Sequence, residues 1–128
     1  MSLTIEVSAG ELLDKLTILL IKKERIQDGK KRGNIAKELH CLERVYDTQV
    51  EKSTALDGLI SELRQVNEML WDIEDEIRSC ERSKDFGSTF VELARSVYRT
   101  NDRRALLKYR INELLGSDLV EEKSYEAY

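Results

Sequence analysis

The sequence has no proline, only six glycines, one histidine and two cysteines in 128 residues. Each shortage excludes something. Without proline, and with glycine scarce, aromatics at 6% and charged residues at 36%, the composition points to long helices rather than a sandwich or a disordered tail. One histidine, His40, leaves little to build a nucleophilic triad from. It lies away from the apolar stripe of its own helix, and no Glu-x-x-His pair is present for a di-iron bundle. No glycine-rich phosphate loop appears either, so neither a metal nor another cofactor is expected.

Cys41 and Cys80 fall in helical patterns and are expected as free thiols in a reducing cytosol, behaving as small buried hydrophobes. The opening MSLTIEVSAG lacks the basic-then-apolar layout of a secretory leader, and LTILLI at 16–21 is too short to span a bilayer. The expectation is a soluble, cytoplasmic protein with no membrane partner. A formal charge of -4 argues against a general nucleic-acid binder.

What is there is helical periodicity in a single domain. LTIEV alternates as a short strand would, and ELLDKLTILLIKKERI then takes up helical spacing behind Ser8, with Glu11 three residues on in a capping-box pattern. QDGKKRGN is expected as a turn, with Asn34 capping a second helix whose stripe is Ile35, Leu39, Leu42 and Tyr46. The third helix, about 55–83, carries Leu56, Leu59, Leu63, Val66, Leu70, Ile73 and Ile77 in steps of three and four. The fourth runs from about Thr89 to Leu115, with Gly116 as its C-terminal cap. The tail SDLVEEKSYEAY is either a frayed end or a second short strand that could pair with LTIEV. These elements predict an all-α, elongated antiparallel four-helix bundle with short terminal strands.

On the fourth helix Arg95, Arg99, Arg103 and Arg110 fall within about 80° of one another. Residues 95–110 hold six cations against one acid, a net of +5 that leaves -9 for the rest of the chain. Such a stripe is either a solvated face paired with acids on a neighbouring helix or a docking surface for an acidic partner or phosphate. The opposite arc is apolar, yet Asn101, Lys108 and Asn112 stand in its middle. Asn67 and Glu74 share the third helix's arc with Leu63, Leu70 and Trp71, and Lys23 is in phase with Leu12, Leu16 and Leu19 on the first.

Polar groups at inward positions must be hydrogen-bonded, because an unpaired buried amide costs roughly 1–3 kcal/mol and an unpaired charge more. They can satisfy each other, with Lys23 or Lys108 against Glu74 and the asparagines, and so fix helix register. Alternatively they line a pocket between the first, third and fourth helices that takes a small anionic or hydroxylated ligand. The acidic run DIEDE suggests magnesium, but Asp72, Asp75 and Glu76 point away from the apolar seam and are expected to be solvated. The first helix also resembles the opening helix of all-helical chorismate mutases, although the cation spacing and closing motif of that family do not follow.

Four segments together, EVSAGELLDKLTILLIKKERI, VNEMLWDIEDEIRSCE, FVELARSVYRTNDRRALLKYRINELLGS and LVEEKSY, resemble an uncharacterised family of small bacterial helical proteins, a domain of unknown function. The resemblance implies no established activity, and an association with surface-polysaccharide and glycosyltransferase systems. Leu20 departs from it, standing where the family more often has Glu. The positions that match the pattern and face inward are Asn67, Trp71, Glu74, Asn101, Lys108 and Asn112; Asp14, Lys15, Glu122, Lys123 and Tyr125 match as well.

The expected function is a non-enzymatic binding or interaction module for a small anionic or sugar-like ligand. In that reading Lys108 and Lys23 supply charge, Asn67, Asn101 and Asn112 hydrogen bonds, Glu74 a counter-charge and Trp71 an apolar wall. The alternatives are an enzyme acting on a phosphorylated or carboxylated metabolite, and a structural protein that docks through the arginine stripe. A homodimer is a further expectation.

Overall fold

The computed structural model describes residues 1–128, which form four α-helices: α1 (Ala9–Arg25), α2 (Gly29–Gln49), α3 (Thr54–Ser83) and α4 (Ser88–Leu115). They pack as an all-α four-helix bundle, and none is long and apolar enough to cross a membrane. The boundaries follow from local chemistry. Ser8 Oγ accepts the Glu11 amide at 3.2 Å and Ser53 Oγ accepts the Leu56 amide at 3.1 Å, each satisfying an amide that a helix start leaves without a partner. Gly116 closes α4 at φ 60°, a left-handed conformation that glycine adopts without steric penalty.

Two sequence expectations fail here. The second helix does not wait for Asn34. It begins at Gly29, because Asp28 caps it by accepting the Lys31 amide at 2.9 Å. Arg32, now in the first turn, donates to the carbonyls of Lys23 and Ile26 at 2.7 and 2.9 Å and so ties α2 to the end of α1. These bonds outweigh the roughly 1 kcal/mol that each glycine costs inside a helix. The terminal strands do not form: residues 1–7 carry no regular structure, with Leu3 and Ile5 solvent-exposed. The tail that would pair with them runs along α4, where Tyr128 Oη donates to Asp102 at 2.7 Å.

The core joins Leu12, Leu13, Leu16 and Leu19 of α1 to Ile35 and Leu39 of α2, Leu56, Leu63 and Val66 of α3, and Leu107 and Ile111 of α4. Only α1 packs against all three other helices. α3 and α4 run together along their length, joined by the turn at 84–87, but α1 covers only their base. From residue 68 to residue 99 no side chain is fully buried, so beyond the base the pair continues as a two-helix arm. Cys41 is exposed rather than buried, Cys80 is half-buried, and both are free.

Candidate functional site

Polar side chains gather where α1 crosses α4. Arg104, Lys108 and Asn112 are spaced by four residues and share one face of α4. They meet Gly10, Glu11 and Asp14 of α1. Gly10 lets the two backbones close up, since a Cβ there would lie 2.5 Å from the Lys108 carbonyl oxygen. At that separation Asn112 Oδ1 accepts the Gly10 amide at 2.6 Å, and Ser117 Oγ accepts the Ala9 amide at 3.0 Å. Two amides in the first turn of α1 are thus satisfied by side chains from and just beyond α4.

Asp14 is the centre of this seam and is 1% exposed. Arg104 grips it with both arms of the guanidinium, Nε to Oδ1 at 3.0 Å and Nη2 to Oδ2. Asn67 of α3 donates to the same Oδ1 and to Thr17 Oγ1, each at 2.9 Å, while Thr17 returns its hydroxyl to the Asp14 carbonyl at 2.8 Å. Lys108 Nζ lies 2.7 Å from Glu11, 3.0 Å from Glu121 of the tail and 3.9 Å from Asp14. No buried side-chain nitrogen or oxygen lacks a hydrogen-bond partner, so the interior network is closed.

The electrostatics follow this geometry. Hydrogen bonding to Asp14 raises Arg104 above its ordinary value against the opposing effect of burial. Burial works to lower Lys108, but its bonds to Glu11 and Glu121 overcome that and leave it raised. Lys108 and Lys123 together hold the Glu121 carboxyl below the usual glutamate value. No group of three or more His, Cys, Asp or Glu side chains is arranged to hold a metal ion; where acids converge on α1 and the tail, the Lys108 ammonium already sits among them.

The residues singled out by sequence part company here. Asn67, Lys108 and Asn112 meet in the buried seam. Lys23 is exposed, and its backbone carbonyl rather than its ammonium is engaged. Glu74 is exposed and pairs with Arg78 on its own helix, not with either lysine. Trp71 is half-buried under the Arg25 guanidinium, 5.8 Å from the ring centroid, and with Ile18, Asn67, Glu74 and Arg104 lines an open cleft of 410 Å³ on the α1–α3 side. In the arginine stripe, Arg95 and Arg99 pair with Glu92 of α4 itself, and Arg103 and Arg110 are exposed without an ion pair.

Asn101 is exposed and lies in a different place, a groove of 1020 Å³ between α4 and residues 123–128. Val97, Tyr98, Asn101, Asp102, Arg104, Ala105 and Lys108 form its α4 side, and Lys123, Tyr125, Glu126, Ala127 and Tyr128 its tail side. The Tyr98 and Tyr128 rings meet edge-on with centroids 5.1 Å apart. Glu121 fastens the near end of the tail, bonded to Lys108 and 3.1 Å from Lys123.

Sequence reasoning missed Glu11, Thr17, Arg104 and Glu121 as members of the network and gave Asp14 no role in it. A signal existed for two of them: Asp14 interrupts the leucines of ELLDKL, and Arg104 stands one turn before Lys108 on the same face. Comparison with curated proteins and with solved structures finds no match. The family of unknown function DUF6165 matches residues 3–128, nearly the whole sequence, and the chain belongs to that family.

Proposed function

We propose that the protein is a binding module for a small anionic or sugar-like molecule, seated in the groove between α4 and the C-terminal tail rather than inside the bundle. The observation that carries this is the lining of the groove. Tyr98, Tyr125 and Tyr128 supply ring surface, and Asn101 offers an amide with no hydrogen bond to the protein, beside the cations Arg104, Lys108 and Lys123 and the acids Asp102 and Glu126. Flat apolar walls with a few convergent polar groups are the usual makings of a small-molecule site.

The closed seam beneath supports this assignment, because it fixes the α4 side of the groove on a rigid helix. It also argues against a ligand between α1, α3 and α4, where Asn67 and Asn112 already have protein partners. A role in surface-polysaccharide or glycosyltransferase systems of a bacterial cytosol belongs to the same proposal and rests on the sequence resemblance alone.

Thermal-shift and calorimetric titration of the full chain with glucose, glucuronate, glucose 6-phosphate and inorganic phosphate tests the proposal. A ligand at 100 times its Kd stabilises by about 2.7 kcal/mol, so a saturable rise in Tm is expected with at least one of these probes. Tyr98→Ala, at an exposed position, should abolish that rise without unfolding the protein. The proposal fails if no probe shifts Tm, or if the shift survives in Tyr98→Ala.

A further inference from the structure

We infer that the Glu121 carboxylate occupies the place of a ligand's anionic group, and that a small molecule bearing a carboxylate or phosphate binds by displacing it from Lys108 and Lys123. This rests on the groove reading above and adds to it the position and charge of the ligand's head. The first argument is a charge balance. Arg104 and Lys108 are matched by Asp14 and Glu11, all four lying between α1 and α4 with Asp14 fully buried. Glu121 is the surplus acid. Removing it strands no buried charge, whereas removing Asp14 or Glu11 would.

The second argument is attachment. Glu11 is fixed in the first turn of α1, while Glu121 stands in a segment with no regular structure. Its carboxylate is held by two side chains, Lys108 at 3.0 Å and Lys123 at 3.1 Å. A carboxylate or phosphate placed there would receive the same two ammonium groups, a charge-assisted arrangement suited to either anion. The third argument is position. Glu121 itself lines a smaller neighbouring pocket, but Lys108 and Lys123 line both that pocket and the groove, so an anion taking these two ammonium groups from the groove side leaves the body of the molecule against Tyr98, Tyr125 and Tyr128.

The test compares wild type, Glu121→Gln and Lys123→Met in calorimetric titrations with glucuronate, glucose 6-phosphate and neutral glucose. A second readout is the rate of tryptic cleavage after Lys123, followed by mass spectrometry. Both substituted residues are exposed, so both variants fold.

Exchange predicts that Glu121→Gln binds at least one of the two anions about fivefold tighter, that Lys123→Met binds it more weakly, and that neither variant alters glucose. It also predicts that the anion slows cleavage after Lys123 in wild type, because the bound anion holds the Lys123 ammonium and its body packs on Tyr125 and Tyr128 of the tail. If an anion binds but Glu121→Gln does not tighten it, or cleavage is unchanged, the exchange is overturned while the groove reading stands. Glucose binding as well as the anions overturns the exchange in the same way. If none of the three probes binds any form of the protein, the groove reading falls with it.

Discussion

The α3–α4 hairpin has two ends built to one pattern and placed in different surroundings. At its base, Leu56, Leu63, Val66 and Ile111 are completely shut off from solvent. Along its arm, Leu70, Ile73, Ile77 and Leu93 continue the spacing and are only half-covered. The apolar rhythm of α3 does not change between them; what changes is α1, which lies across the base and reaches the arm only at its near end, where Arg25 meets Trp71 and Asp72. The polar residues divide in the same way. Asn67 at the base is buried and doubly hydrogen-bonded, while Glu74, two turns further along a shared arc, is solvated and pairs only with Arg78. A helical period therefore specifies which face is apolar, and the neighbouring helix determines whether that face is dry.

The most direct way to erase the difference is to remove the ion pair at the base. Asp14→Ala leaves Arg104 without its carboxylate and Asn67 without one of its acceptors, and is expected to lower stability by about 3–5 kcal/mol in urea denaturation. Arg78→Ala in the arm, an exposed position, should change it by less than about 0.5 kcal/mol. A hydrophobic pair sharpens the contrast. Leu63→Ala should cost about 2–5 kcal/mol and Ile77→Ala about 1 kcal/mol, since roughly half the apolar surface is at stake; equal losses would show that the arm is packed as the base is.

Gly10→Ala probes the close approach of α1 to α4. The added methyl would sit 2.5 Å from a backbone oxygen, so the helices must separate at a cost of about 1–3 kcal/mol, read as a lower Tm. The smallest effect concerns the tail. A carboxyl whose folded value is lowered stabilises above its unfolded value and loses that contribution as pH falls through the folded one. For Glu121, lowered from 4.5 by Lys108 and Lys123, the attachment of the tail, followed as the NMR shift of the Glu121 side-chain carboxyl against pH, should hold through neutral pH and be lost only in acid below that value. Lys108, raised from 10.5, contributes fully below that value and loses its part only in stronger base.

Most of the fold was legible because caps and periods are local. Ser8, Gly116 and the leucine steps of α3 are each readable within a few residues. The start of α2 was not, because two glycines and a run of lysines obscured the Asp28 cap and the reach of Arg32 back to α1. The site was legible only in part. A wheel drawn for each helix placed Asn67, Lys108 and Asn112 correctly, since α1 does cover those turns. The same wheel placed Lys23, Glu74 and Asn101 inward, where no helix covers them. The partners of Lys108 come from residues 97 positions earlier and 13 later, a meeting that no local pattern encodes.

The pairing of Ala9 with Ser117, 108 residues apart, has a consequence for the order of assembly. As the chain leaves the ribosome, α1 appears before α4, but two of its leading amides must wait for acceptors more than 100 residues later, 108 for Ala9 and 102 for Gly10. Contacts of such long separation are slow to close. The first helix of the bundle to be made is therefore among the last to be secured, and truncation just before Asn112 should fray it from its start.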